Sequence, residues 1–241
     1  MSSVKVLLFQ KNINTDLTKD QKQNISKARA DFLILPRFFP APAKINSEIF
    51  DLEKKYLDRI LEISEYHKGV VLGGSIFRKE NGKVYESLPI VQDVNLVDYY
   101  NLRSGEEVYS LKPEKGEGDS IYILHGVRFA IVSGKDFELD GLFQHLSDES
   151  IELLFHSSDR NLEPNDFAIY KDDLIKVSEI SKKYNLNIVR CEGTGFLEGK
   201  EKSGRSYYSS PTGIKWKLGE SENKSEILKN LNISLSKKIP L

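Results

Sequence analysis

Arg37 is the side chain in this 241-residue chain that most invites a chemical reading. It follows Ala30-Asp31-Phe32-Leu33-Ile34-Leu35-Pro36, an unbroken apolar run of the kind covered on both faces of a sheet, stopped by a proline that removes a ladder donor. A residue just past the carboxyl end of such a strand stands where open α/β sheets place their chemistry. A guanidinium stays protonated at physiological pH, so Arg37 cannot act as a base. Its planar fork suits carboxylate or phosphate instead. Two roles follow. Arg37 pairs with a nearby carboxylate such as Glu106 or Glu107, or it clamps a small anionic ligand, with Arg103 and Arg128 as candidates for further charge. The single cysteine, Cys191, reads as a buried structural thiol. The four histidines (His67, His125, His145, His156) show no close ligand spacing, so no metal site is expected, and His125 and His156 read as polar surface at strand ends.

The balance of the chain excludes several classes. Hydrophobic content of 39% and charged content of 29% are those of an ordinary globular protein. A net charge of −1 suggests neither a nucleic-acid nor an anionic-membrane partner. No apolar stretch approaches the roughly 20 residues of a membrane helix. The opening Met1-Ser2-Ser3-Val4-Lys5 lacks the features of a secretion signal, and one cysteine fits a reducing compartment, so a cytoplasmic location is expected.

Several elements could position Arg37. Val4 to Phe9 reads as the first strand, Asp16 to Ala30 as a helix, and Phe32 to Leu35 as the next strand. Ser47 is a candidate N-cap for a helix through about Tyr66, with Ile49, Phe50, Tyr56, Ile60 and Ile63 at helical spacing. Gly69 to Phe77 is a strand interrupted by glycines. Asn81-Gly82 predicts a hairpin with Val84 to Val91 as its return, and Leu96 to Asn101 suggests a further strand. Strands are expected at Ile121–Leu124, Arg128–Ser133, Ile151–Phe155 and Leu186–Cys191. Helices are expected at Phe137–Leu146 and Asp172–Tyr184. A loop-rich region spans Gly193 to Gly204, and a hairpin covers Ser206 to Leu218. The end of the chain is polar and weakly patterned, and its last 20 or so residues read as an extension or tail. Alternating strands and helices with interspersed hairpins, no repeats and no linker predict one α/β domain over residues 1–241.

Taken in order, the motifs resemble those of the nitrilase, or carbon–nitrogen hydrolase, superfamily over nearly the whole chain. Lys5 to Gln10 is similar to its opening strand, and Ala30 to Pro40 to its first active-site motif. Gly73-Gly74-Ser75 matches a strand ending in glycine-serine, and Tyr85-Glu86-Ser87 resembles a tyrosine-asparagine-serine. Tyr99-Tyr100-Asn101-Leu102 resembles the second motif, and Gly126 to Asp136 the third. Gly204-Arg205-Ser206 and Pro211-Thr212-Gly213 match a closing hairpin, followed by Glu226-Ile227-Leu228.

The resemblance implies a four-layer αββα sandwich, two mixed sheets packed face to face with helices outside, usually paired into dimers or higher homo-oligomers. It implies amide or nitrile hydrolysis through a cysteine nucleophile, a glutamate base and a lysine that stabilises the oxyanion, without a cofactor. This chain departs at all three positions. Arg37 stands for the glutamate, Asn101 for the lysine and Gly134 for the cysteine. A one-residue shift would give the nucleophile's place to Ser133, with Glu106 or Glu107, which resemble an accessory glutamate, as base. Strand alternation, however, points Ser133 away from the position-134 direction. The implied reading is a pseudoenzyme with a binding, regulatory or assembly role. The alternative is a hydrolase acting through substitute residues such as Ser133.

Overall fold

The computed structural model describes residues 2–42, 44, 50, 52–108 and 111–236. Strands β1 (Ser2–Gln10), β2 (Phe32–Ile34), β3 (Val70–Leu72), β4 (Ile76–Glu80), β5 (Lys83–Gln92) and β6 (Asn95–Asn101) belong to one sheet. Strands β7 (Ile121–Leu124), β8 (Val127–Ser133), β9 (Leu153–Ser158) and β10 (Asn187–Glu192) belong to a second. Strands β11 (Gly195–Leu197) and β12 (Lys200–Lys202) form a small hairpin of their own. Strands β13 (Tyr207–Ser210) and β14 (Gly213–Lys217) complete the second sheet, and β15 (Ile227–Leu235) completes the first.

Each large sheet has a parallel centre and antiparallel flanks. In the first sheet β1, β2 and β3 are parallel, with β15 antiparallel to β1 and β5 antiparallel to β3. In the second, β8, β9 and β10 are parallel, with β7 and β13 antiparallel at either side. Val6, Leu8, Phe32, Ile34, Phe129, Ile131, Phe155 and Val189 meet in one buried layer between the sheets. Phe32, Phe129 and Phe155 lie 4.8–5.6 Å apart by ring centroid. Such aromatic pairs add about 0.5–1.5 kcal/mol each beyond the area they bury. Helices α1 (Lys19–Ala28) and α2 (Glu53–Tyr66) cover the outer face of the first sheet, where Ile25, Ile60 and Ile63 meet Leu33, Leu35 and Val71. Helices α3 (Leu142–Asp148) and α4 (Asp166–Tyr184) cover the second, where Leu146, Leu174 and Val177 meet Ala130, Val132 and Ile188. The result is a four-layer αββα sandwich.

Local chemistry explains the boundaries. A capping box between Thr18 and Gln21 starts α1, so that helix begins later than the apolar pattern suggests. Positive φ at Asn81 (51°) and Gly82 (79°) gives the tight turn between β4 and β5. Residues 134–138 form a 3-10 turn, and α3 starts only at Leu142, not at Phe137. Helix α4 begins at Asp166, ahead of the periodic stretch that starts near Asp172. The candidate cap Ser47 and Ile49 lie outside the described residues. The end of the chain is the largest departure. In place of a tail, β15 pairs with β1 over its whole length and buries Leu231, Ile233 and Leu235 alternately. Among the described residues no helix is long and apolar enough to cross a membrane.

Candidate functional site

Three parallel strands deliver the site from their carboxyl ends. Arg37 arrives two residues beyond Leu35 at the end of β2, Gly134 follows β8, and Asp159 follows β9. Ser157 on β9 donates to the Leu35 carbonyl at 3.1 Å and ties the two sheets together at this end. Gly74 makes the bend behind Arg37 possible. A Cβ there would lie 2.1 Å from the Phe39 carbonyl oxygen, closer than atoms can pack.

Arg37 is 3% exposed. Its Nε and Nη2 donate to the two carboxylate oxygens of Glu86 at 2.8 Å each, a parallel fork-to-fork pair. Its Nη1 donates to Asp159 at 2.8 Å and to Glu106 at 3.3 Å. Four of the five guanidinium N–H groups are thus spent on carboxylates. Burial works against the guanidinium's charge, but Glu86 and Asp159 outweigh it and hold Arg37 above its ordinary pKa. Asp159 is also met by Lys202 from β12, at 2.7 Å. Burial alone would raise its pKa, and the charges of Arg37 and Lys202 overturn that and keep it below the usual carboxylate range. Exposed Lys135 approaches Glu106 at 3.4 Å. Three cations (Arg37, Lys202, Lys135) therefore face three carboxylates (Glu86, Asp159, Glu106).

Gly134 sits directly against this cluster with φ +51°. A Cβ added there would lie 2.4 Å from Arg37 Nη1 and 2.6 Å from Cζ. The guanidinium occupies the space that a side chain at position 134 would need.

The other sequence candidates are distributed unevenly. Glu106 joins the cluster and Glu107 is exposed. Ser133 is fully buried and follows Val127, Phe129 and Ile131 onto the face between the sheets, where its Oγ has no hydrogen-bond partner among the described residues. Asn101 is not brought to Arg37. Its Oδ1 accepts from Ser87 at 2.6 Å, and Ser87 and Glu86 are successive residues of β5 that point to opposite faces. Arg103 contributes its backbone N–H, which Asp136 accepts at 2.8 Å along with that of Ser104 at 2.6 Å. Asp136 thereby holds the loop that carries Glu106. Arg128 turns away and pairs with Glu149 at 2.6 Å, so it adds no charge to the cluster.

His125 is indeed exposed, paired with Asp31. His156 is not the polar surface residue expected, because β9 runs through the interior and leaves it 1% exposed. Arg190 Nε donates to its Nδ1 at 3.1 Å, which leaves the proton on Nε2, 3.0 Å from the Gly134 carbonyl oxygen. Burial, reinforced by the charge of Arg190, pushes its pKa well below the ordinary value and keeps the ring neutral. Cys191 faces the inter-sheet layer with its thiol on the Phe9 carbonyl, and burial raises its pKa well above the ordinary value.

Glu86, Asp159, Lys202 and His156 complete the site that sequence reasoning singled out only in part. Glu86 carried a signal, a carboxylate inside an otherwise apolar strand. Asp159 and Lys202 carried none, since each is one acid or base among many in a polar loop.

No family model matches this sequence, and no curated protein matches it significantly. Solved structures do match its shape. A carbon–nitrogen hydrolase from Helicobacter pylori G27 superposes with a TM-score of 0.78 at 11% identity, over 97% of this chain and 90% of the other. Nit3 of Saccharomyces cerevisiae, a member of branch 10 of the nitrilase superfamily, gives 0.69 at 16% identity, over 95% and 90%.

The chain has the nitrilase fold.

The glutamine-dependent NAD+ synthetase of Acinetobacter baumannii gives a TM-score of 0.76 at 18% identity over 97% of this chain, which spans only 46% of that larger protein. At these identities the nitrilase fold is what is shared. Within that fold, the carboxyl-end position that faces Gly134 is filled by a buried arginine with its own set of carboxylates.

Proposed function

We propose that this is a nitrilase-fold protein that has lost cysteine-hydrolase chemistry and serves a binding, regulatory or assembly role. One observation carries the reading. The space beside Gly134 is filled by the Arg37 guanidinium, locked by Glu86, Asp159 and Glu106. On this reading Arg37, Asn101 and Gly134 are the former triad positions. Gly134 offers no nucleophile, Arg37 cannot take a proton, and Asn101 faces the other side of its strand pair. A clamp for a small anion at Arg37 finds no support in this geometry, since the fork is engaged and the surrounding charges balance.

A hydrolase working through Ser133 needs a base next to an accessible hydroxyl. Ser133 is fully buried and Glu106 is held by Arg37 and Lys135, which argues against it. The assay is hydrolysis of a panel of short amides and nitriles by the purified chain. The expected result is no turnover above buffer, and none changed by Ser133→Ala. Turnover that disappears in Ser133→Ala would replace this proposal with the hydrolase reading. A cytoplasmic location and a symmetric homodimer or larger homo-oligomer belong to the same proposal. Light scattering on the purified chain tests the assembly.

A further inference from the structure

A second concavity lies on the outer face of the second sheet, away from the layer between the sheets. It has a volume of about 350 Å³ and opens between the 3-10 turn after β8, α3 and α4. That size suits a small organic ligand. Much of its wall is apolar. Phe137 and Phe143 meet edge to face at 5.1 Å, and Val177 and Ile180 of α4 close the opposite side. Its floor is polar, formed by partly buried Arg190 of β10 and buried Tyr207 of β13, and Glu138, Asp173 and Lys176 also line it.

Two donors on that floor are unspent. Tyr207 is 1% exposed, and its hydroxyl, open to the cavity, is not engaged by another described residue. Burial raises its pKa to about 12, so the hydroxyl keeps its proton. Arg190 directs Nε to His156 and Nη1 to Asp173 at 3.5 Å and toward Glu192 at 3.7 Å, while Nη2 forms no hydrogen bond among the described residues. The guanidinium is fixed between the rings of Phe137 and Tyr207, at 5.5 and 5.3 Å. A free hydroxyl on a buried tyrosine and a fixed, partly committed guanidinium at the bottom of an aromatic-walled cavity form a built site.

We propose that this cavity binds a small monocarboxylate with a flat apolar body, its carboxylate on Tyr207 Oη and Arg190 Nη2 and its body among Phe137, Phe143, Val177 and Ile180. Lys176 at the rim favours the same sign of charge, and Asp173, already shared by Arg160 and Arg190, does not oppose it as a free acid would. The ligand would also reach the candidate site indirectly. Arg190 holds the His156 ring, and that ring donates to the Gly134 carbonyl.

The test is a titration of the full chain with benzoate and phenylacetate, followed by calorimetry and by amide chemical shifts. Saturable binding with Kd of order 1 mM or tighter is expected for such small ligands. Tyr207→Phe keeps the ring and removes only the unpaired hydroxyl, and should weaken binding about tenfold, the effect of one hydrogen bond to a charged group. Ile180→Trp, which fills the cavity from its half-exposed rim, should abolish binding while thermal unfolding stays cooperative. Benzamide, neutral and of the same shape, should bind at least about tenfold more weakly than benzoate. The proposal is overturned by an absence of saturable binding by both acids, by equal binding of benzoate and benzamide, or by affinity unchanged in both variants.

Discussion

Placing a methyl group on Gly134 tests the central geometry. The new Cβ would meet Arg37 Nη1 at 2.4 Å, Cζ at 2.6 Å and Nη2 at 3.0 Å, and the residue must also keep φ at +51°. The backbone contribution for a non-glycine residue in this region is about 1–2 kcal/mol. The contact contribution is larger, because the guanidinium cannot move aside without breaking its fork with Glu86 and its bond to Asp159. Breaking a buried ion pair costs about 3–5 kcal/mol. Gly134→Ala should therefore lose about 4–7 kcal/mol in urea unfolding, a large share of the roughly 5–15 kcal/mol typical of a domain. Arg37→Ala alone leaves buried Glu86 without its fork partner and Asp159 with Lys202 only, and should lose about 3–5 kcal/mol. With Arg37 gone, however, the added methyl has room, so Gly134→Ala in that background should cost only the backbone contribution of about 1–2 kcal/mol. The double-mutant cycle should thus show a coupling of about 3–5 kcal/mol. If Gly134→Ala costs the same in both backgrounds within about 0.5 kcal/mol, Arg37 does not hold the space beside position 134 and the reading of the site fails.

Two further outcomes follow from buried groups. Burial lowers His67 to a pKa of about 4, and burial with Arg190 pulls His156 well below its ordinary 6.5. Below pH 6.5 the unfolded chain takes up protons that the folded one refuses, so stability should fall on acidification by about 1.4 kcal/mol per pH unit for His67, or about 2 kcal/mol by pH 5, with His156 adding in the same direction. Asp159 acts in a separate window. Its depressed pKa contributes stability that is complete above about pH 4 and lost only below it. Urea unfolding between pH 7 and pH 5 that shows no slope would contradict the two neutral histidines. Cys191, fully buried, should resist a thiol reagent in the native state and react completely in denaturant, and fast native labelling would mean that the inter-sheet layer opens.

The candidate site was legible only in pieces. The Phe32–Pro36 run announced a strand end, and Arg37 stood out because a charge follows it directly. Its fork partner was harder to see. Glu86 is 49 residues away in sequence, and only the pairing of β5 against β3 and β4 turns it toward Arg37. His156 was misjudged because a strand with both faces covered carries no alternation to show which of its polar residues lie inside. The closing strand was missed for the opposite reason. The alternation of Leu231, Ile233 and Leu235 with Asn230, Asn232 and Ser234 is present, but the polar residues dilute it until β1 supplies a partner.

The sequence by itself determined the class of the architecture and the absence of a nucleophile at position 134. Apolar runs of strand length, a tight-turn dipeptide and the order of the motifs are local properties, and local sterics and solvation set them. It also determined that position 37 holds a permanent cation, since no environment in a protein neutralises a guanidinium. Tertiary structure alone decided what that cation does. Whether Arg37 is a clamp or a filler depends on which carboxylates β5 and the segment after β9 bring within 3 Å of it, and such contacts between distant segments exist only once both sheets have closed on their shared core.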